Sequence, residues 1–566
     1  METQLHTALA LLSPDSTHVA ITFGLLGVAF HLAVHNIEID YRLWRLFSVY
    51  LLVWAGLVGI YINVFELSWL YAIGIAWFAG LCFNVGLASS IAAYRLLFHR
   101  LRSFPGPWGA KLSRFYAVTL ASKGLQYHLE LKKLHEQYGD FVRTGPREIS
   151  INRPSAVQAI NGSKSACMKS TWYSQVSDDV TVISLNSTRD VEVHRRRRRA
   201  WDRAFSVKSM ATYAPRVRSK VDVFISQLRE RVGQPVNITE WTMFLTFDVM
   251  GAVGFSKDFQ QLEAAKEHSA IKGLHDQMAA LGLLAHIPWF LSLLGSIPGL
   301  SGSYGLFIDY CHKQVKEKVD SWKQDDTQDP SDVISWLLKA NKDNDGTAPP
   351  GEQALEEDGR LMIIAGSDTT GATLANALYF LTVNPSVYHE LQKQLDGLFS
   401  SAGNSFTYEQ VRDIPYVEAI INETLRLKPA VPSGQPRVTP PGGLEIDEVW
   451  IPGDVNVVVP QYILQRDNRN FPDGDKFVPQ RWLVENKKKM ITNEQAYFPF
   501  QLGQYSCAGR QLALMELRLA IVLVALNFDL SLAPGETGVE FDQGAKDTFT
   551  LTLSALQVVL KERTRA

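Results

Sequence analysis

The stretch Phe500-Gln501-Leu502-Gly503-Gln504-Tyr505-Ser506-Cys507-Ala508-Gly509 decides the fold. Its fixed points read F-x-x-G-x-x-x-C-x-G. At this chain's own residue frequencies the pattern arises by chance about 0.001 times in a chain of this length. Gln511-Leu512-Ala513-Leu514-Met515 are good helix formers, so a helix is predicted to begin just past Cys507. Backbone N–H groups at a helix start stabilise a negative sulfur and lower its pKa. Gly503 permits a tight turn, and Gly509 leaves room for a flat group to approach. Phe500 can cover the open side of the sulfur. A lone cysteine beside a helix is more often a buried structural residue. The four-point pattern suits a thiolate ligand for haem iron instead, which must be deprotonated, shielded from water and close to the porphyrin plane.

Further motifs stand along the chain. Glu423-Thr424-Leu425-Arg426 puts an acid and a base three apart, where they share a helical face and can pair. Such a pair alone usually decorates a solvated surface. Phe477-Val478-Pro479-Gln480-Arg481 comes after it. Ala365-Gly366-Ser367-Asp368-Thr369-Thr370 lies inside a helical run, although propensity disfavours Gly-Ser and two threonines there. Alone it reads as a helix kink. His194 is followed by five arginines, Arg195 to Arg199. Alone they would suggest a nucleic-acid or targeting patch. His194 and Arg198, four apart, share one helical face.

In this order the motifs resemble the cytochrome P-450 family of haem-thiolate monooxygenases, over nearly all of the chain from residue 111 onward. The resemblance implies a mainly α fold with small β-sheets. It implies that Cys507 is the iron ligand, in a haem loop with Phe500, Gly503 and Gly509. Glu423, Arg426 and Arg481 would form a structural ion-pair network. Asp368 and Thr369 would be the catalytic proton-delivery pair, on a distal helix whose distortion opens a groove for dioxygen. His194, Arg198 and Arg437 would reach the haem propionates. Most other arginines of the run would face solvent, on a surface suited to an acidic electron donor. Two positions depart from the family pattern. Tyr505 stands where Arg or His is common, which removes one propionate cation but leaves a hydrogen-bond donor. His194 stands where Trp is common.

The N-terminal hundred or so residues are far more apolar than the rest. Ser16 to Ile37, Leu46 to Phe65 and Leu67 to Tyr94 lack Asp, Glu, Lys and Arg. Each reaches the roughly 20 residues that cross a ~30 Å hydrocarbon core. No Lys or Arg precedes the first span, which argues against a cleaved signal peptide. Arg42 and Arg45 lie in the first connection, and Arg95, Arg100, Arg102, Lys111 and Arg114 come after the third span. The positive-inside rule then makes the N-terminus luminal and the rest cytosolic. Residues 1–103 read as a membrane anchor, the Pro/Gly-rich 104–110 as a hinge, and 111–566 as the monooxygenase domain.

The remaining signals bound the function. Lys plus Arg (56) against Asp plus Glu (58) gives a net charge of −2, with no pull towards nucleic acid. Cys82, Cys167, Cys311 and Cys507 form no CxxC pair, which excludes a disulfide framework or zinc knuckle. Alternation predicts a hairpin over Phe141 to Ile151 and strands within Leu444 to Pro460. Helices are predicted around Val217 to Arg231, Gly359 to Thr382, Tyr416 to Leu427 and Gly509 to Asn527. Gln324 to Gly359 reads as an acidic exposed loop whose middle, Val333 to Leu338, can be helical. The chain lacks a G-x-G-x-x-G fingerprint for NADPH. With the resemblance, this implies haem b as cofactor and electrons from NADPH through a separate NADPH-cytochrome P-450 reductase, with cytochrome b5 as a further donor. The expected partners are then a lipophilic small-molecule substrate and the lipid bilayer, and the expected place is the endoplasmic reticulum membrane. The substrate pocket would lie along Ile364 to Thr369, Ala430 to Gly434 and Phe549, with Thr171 to Leu185 and His275 to Leu291 as variable walls. The multi-span anchor and Val431-Pro432-Ser433-Gly434 look most like fungal microsomal members, often found in secondary-metabolite pathways. Two alternatives compete: an isomerase or dehydratase of the same family that needs no reductase, and a non-catalytic membrane haem-binding protein. The Asp368–Thr369 pair argues against the first, and the ordered motifs argue against the second.

Overall fold

Three apolar helices open the chain: α1 (Ser16–Val34), α2 (Leu43–Asn63) and α3 (Trp69–Ala93). Each is long and apolar enough to cross a membrane, α3 together with a π-helical continuation to Phe98. Leu25, Leu52, Val53, Trp69, Leu70 and Trp77 stand exposed, an apolar surface that lipid tails would cover. Helix α2 begins three residues earlier than its uncharged run, so Arg45 lies inside its first turn. The computed structural model describes residues 12–37, 43–174, 177, 179–295, 297, 302–325, 328–399 and 406–564. Arg42 falls outside them.

The Pro/Gly segment after α3 is fastened to the strand beyond it. The Pro105 carbonyl accepts from the Arg143 N–H at 2.7 Å. The fully buried Arg143 side chain donates to the carbonyls of Arg95, Leu101 and Pro146. One guanidinium thus joins the end of the anchor to the first strand of the sheet.

That sheet has five strands. β1 (Phe141–Gly145) and β2 (Glu148–Ile151) form the expected antiparallel hairpin, with Phe141 opposite Ile151. β3 (Met168–Lys169), β4 (Arg437–Val438) and β5 (Asn456–Val458) complete the order β1-β2-β5-β4-β3. Ile149 pairs with Val457 in parallel, Arg437 with Val457 antiparallel, and Lys169 with Arg437 antiparallel. The sheet therefore sets two basic residues directly opposite each other.

The rest is mainly helical. α4 (Val191–Ala204) carries the arginine run, and Asp190 caps it by accepting from the Val193 N–H. α5 (Ile238–Met250) is buried on most sides, and α6 (Ser269–Leu284) on one. α7 (Glu352–Val383) spans 32 residues and packs against α5 and against the helix Arg510–Asn527. It starts seven residues before the predicted Gly359, so the acidic stretch ends at Gly351 and Val333–Lys342 forms its own helix. Glu352 suits the first turn because a helix start carries partial positive charge. α8 (Pro415–Leu427) begins with proline at the position where a missing N–H costs nothing. α9 (Arg510–Asn527) is buried almost all round and begins after Cys507 as predicted.

Beneath α8 lies a buried charge network. Glu423 accepts from Arg426 Nε and Nη2, each at 2.8 Å, and from Arg481 Nε at 3.0 Å. The Val478 N–H and the Trp482 indole N–H bond the same carboxylate. Spare donors of Arg426 and Arg481 satisfy the carbonyls of Gln465, Gly474 and Pro472. With every partner supplied, these charges fix three chain segments around one point.

Candidate active site

The cysteine loop is shaped by a glycine and a helix start. Gly503 has φ +63°, and a Cβ there would lie 2.6 Å from the Asn161 carbonyl oxygen. Only glycine fits both constraints. The Cys507 N–H donates to the Phe500 carbonyl at 2.8 Å and closes the loop just ahead of α9. Phe500 packs against the main core, with the Arg510 guanidinium 5.7 Å from its ring centre. Burial is the largest influence on the Cys507 thiol and raises it. The Gly509 and Arg510 N–H groups and the charges of Arg198 and Arg510 act the other way. Yet the Cys507 side chain has open surface. A side chain that is desolvated and still open faces an interior space. At Gly509 an added Cβ would meet nothing within 4 Å among the described residues.

Helix α7 presents the matching wall. Ala365 is exposed in the middle of a largely buried helix, and Thr369, one turn on, is partly open. The Thr369 hydroxyl donates to the Ala365 carbonyl at 2.7 Å. The helix runs unbroken through Ala365 to Thr370, so the motif residues do not interrupt it. Gly366 has a packing reason instead: a Cβ would lie 2.1 Å from Met250 Sδ on α5. Asp368 is buried, with its Oδ1 3.5 Å from His275 Nε2 on α6. His275 Nδ1 is 2.5 Å from Glu267. Burial alone would lower the His275 pKa, but hydrogen bonds to Asp368 and Glu267 outweigh it and push it up to about 10. The imidazole is therefore a cation at neutral pH.

A third group of residues gathers basic and polar donors. His194 is buried, and its ring meets the Tyr505 ring edge-on at 4.9 Å. Burial first, then the charges of Lys169, Arg198, Arg197 and Arg437, hold it neutral. Arg198 donates to the Ser506 carbonyl at 2.6 Å and to Asp202, which ties α4 to the cysteine loop. Arg437 is buried and bonds the Tyr173 hydroxyl at 2.8 Å. Arg195, Arg196 and Arg199 face solvent. Arg197 does not: it is buried and pairs with the buried Asp358 of α7 at 3.0 Å. Among the described residues, His194 Nδ1, Arg437 Nε and the Tyr505 hydroxyl are buried without a hydrogen-bond partner.

These features test whether haem fits. A flat group with two carboxylates needs a sulfur open to an interior space, a wall without side chains, and unengaged donors at one edge. Cys507, Gly509 and the orphaned atoms of His194, Arg437 and Tyr505 meet those needs. Sequence reading missed Lys169, His275 and Glu267. Lys169 lies in a two-residue strand that no periodicity marks, and His275 stood only within a stretch read as pocket wall.

A separate cleft of about 660 Å³, counted with the solvent it opens onto, lies between Trp172, Ser433, Gly434 and Phe549. It also takes in Arg114, Tyr127, Glu148 and Asp547, so one wall is polar. None of Ile364 to Thr369 lines it. Phe549 has φ +83°, a rare conformation for a bulky residue, and its ring stacks on Trp172 at 4.7 Å. Burial pushes the Asp547 carboxyl up to about 6.

The fold and these sites define a haem-thiolate monooxygenase preceded by membrane helices. The chain belongs to the cytochrome P-450 family, whose model matches residues 105–558. It is 39% identical over 479 residues to the cytochrome P-450 monooxygenase orf5 of Eupenicillium brefeldianum, covering 85% of this chain and 95% of the relative. It is 36% identical over 550 residues to monooxygenase FCK2 of Fusarium pseudograminearum, covering 96% of this chain and 97% of the relative. The tryprostatin B 6-hydroxylase of Aspergillus fumigatus is 33% identical over 482 residues, 85% of this chain and 84% of its own. The crystal structure of a cytochrome P-450DA haem domain shares the fold, with a TM-score of 0.66 at 20% identity, over 79% of this chain and 95% of that one. Family identity implies haem b with cysteine ligation, and a reductase, a substrate and a membrane as partners.

Proposed function

We propose that this chain inserts one oxygen atom of dioxygen into a lipophilic small molecule of fungal secondary metabolism, with Cys507 as the ligand of the haem iron. One observation carries the reading: the desolvated yet open thiol of Cys507 beside Gly509, with Ala365 and Thr369 open on a helix packed against α9. When bound, the haem supplies dioxygen binding and activation, with thiolate donation favouring O–O cleavage. Phe500, Gly503 and Gly509 shape the loop around the sulfur, and N–H groups from Gly509 and Arg510 hold its negative charge. His194, Arg198 and Arg437 would hold the propionates. Arg198 also fixes the loop through Ser506. Asp368 takes up protons, and Thr369 passes them on from its hydroxyl.

The electrons come from NADPH through a separate reductase, and cytochrome b5 is a second donor. Exposed Arg195, Arg196 and Arg199 suit an acidic partner surface. Residues 1–103 anchor the chain, 104–110 connect the anchor to the rest, fastened at Pro105 to Arg143, and 111–566 form the catalytic domain. The basic residues from Arg95 to Arg114 favour an endoplasmic reticulum membrane protein with a luminal N-terminus and a cytosolic catalytic domain. The likeness to a tryprostatin B 6-hydroxylase supports hydroxylation as the reaction type. The test is to incubate membranes holding this protein and a reductase with NADPH and candidate metabolites. Product heavier by one oxygen is expected, and it should vanish with Cys507→Ala, as should the thiolate-type band of the reduced carbon monoxide complex. Turnover that continues without NADPH or reductase would overturn the monooxygenase reading.

A further inference from the structure

Lys169 and Arg437 sit opposite each other on β3 and β4, an arrangement that like charges disfavour. Both are buried. Both lie over the same rings, Lys169 at 5.1 Å and Arg437 at 4.9 Å from the centre of Tyr505, and at 5.3 and 5.5 Å from Tyr173. Among the described residues Lys169 Nζ donates only to carbonyls, those of Leu185 at 3.1 Å and Asn186 at 2.8 Å. Arg437 donates to Tyr173, to the Pro436 carbonyl and to Gln435. Among the described residues neither has a carboxylate within ion-pair distance. A buried pair of like charges without a counter-ion is costly, and the cost disappears when an anion enters. Burial, with Arg437, Arg197 and Arg198 nearby, already drives the Lys169 pKa well below that of an ordinary lysine.

The aromatic contact gives the pair its meaning. Tyr505 occupies the place where this loop lacks a cation, and Lys169 comes from a remote strand to stand against that same ring. We propose that Lys169 supplies the positive charge missing at position 505 and holds a haem carboxylate together with Arg437. This rests on the haem-site reading above. No sequence motif assigns Lys169 a role, and it stands far from both Arg437 and Tyr505 along the chain.

The test measures haem retention rather than turnover. Holoenzyme is mixed with excess apomyoglobin, and haem transfer is followed by absorbance. Lys169→Gln should release haem about tenfold faster or more, the loss expected for one charge-assisted hydrogen bond. Lys169→Arg should stay near the wild-type rate. The double change Lys169→Gln with Tyr505→Arg should recover most of the loss, because it returns the cation to the loop. Wild-type release from Lys169→Gln overturns the proposal. So does faster release that neither Lys169→Arg nor the added Tyr505→Arg slows, which would assign Lys169 only to fastening residues 185 and 186. A wild-type enzyme without a thiolate-type carbon monoxide band would instead overturn the haem-site reading itself, and this proposal with it.

Discussion

Arg481 Nε meets Glu423 Oε1 at 3.0 Å across 58 residues of chain, and neither side chain has any exposed surface. The pair links the segment before Trp482 to helix α8, and Arg426 completes it from the same helix. Burying these charges is costly, so the network holds only while every member stays paired.

Arg481→Ala should therefore be severe. It removes one guanidinium from Glu423 and leaves the carbonyls of Pro472 and Met490 without donors. The cost should be about 3–5 kcal/mol, a large share of a typical 5–15 kcal/mol stability. Lysine should not rescue it, because one ammonium cannot reproduce the planar fork. Thermal unfolding of the purified holoenzyme checks this, with haem content as a second readout. A loss below about 1 kcal/mol would mean the pair is dispensable.

Much of this was legible in the sequence because it depends on local spacing. Glu423 and Arg426 three apart, Gly503 four before Cys507, and the run of helix formers after Arg510 each carry their geometry in the chain itself. The three apolar spans were legible for the same reason. Long-range pairing was not. Lys169 faces Arg437 only because β3 and β4 close a five-stranded sheet, and nothing in Met168-Lys169 announces a strand. Arg197 looked like one of several solvated arginines, but helix periodicity turns it towards Asp358. Gly366 read as a kink, whereas its small size admits Met250 from α5. The extra turns at the start of α7 were hidden by an acidic composition that suits a loop and a helix start equally well.

Glu516, on α9, makes a pH-dependent prediction. Both carboxyl oxygens are buried without a hydrogen-bond partner among the described residues. Desolvation holds the group well above the usual carboxylate range. A carboxyl raised in the fold favours the folded state at low pH, and that advantage is lost as pH rises above the unfolded value near 4.3. Glu516→Gln removes the charging cost while keeping the shape. The variant should be more stable than wild type at pH 7, and the gap should close as pH falls to about 4. Unfolding midpoints at pH 4, 5.5 and 7 decide it, and a gap that does not change with pH would sink the claim.

His275 runs the opposite way. Its pKa, pushed up to about 10 by Asp368 and Glu267 against the effect of burial, makes it a cation that the fold prefers. Stability from a raised histidine is fully present below the unfolded value near 6.5 and is lost as pH rises through the folded value. The stability gap between wild type and His275→Gln should be largest at pH 6 and should narrow steadily towards pH 10. Melting curves across that range check it. A constant gap would mean that His275 stabilises by packing and not by charge.

Thr369→Ala tests the distal side of the site. In the structure the Thr369 hydroxyl donates to the Ala365 carbonyl, so its lone pairs remain free to accept from water on the open side of α7. Asp368 lies next to it, buried and in contact with His275. If these two residues deliver protons, removing the hydroxyl should leave electron flow intact while product formation falls. Alanine suits a helix interior better than threonine, so the fold and haem content should survive. The measured quantity is the ratio of product to NADPH consumed, together with hydrogen peroxide released. The ratio should fall about tenfold or more, within the range that a positioned acid or base contributes, and peroxide should rise to match. Thr369→Ser keeps a hydroxyl and should stay near wild type. Equal ratios in all three proteins, at equal haem content, would reduce Thr369 to a residue that merely bonds its own helix and would place the proton route elsewhere.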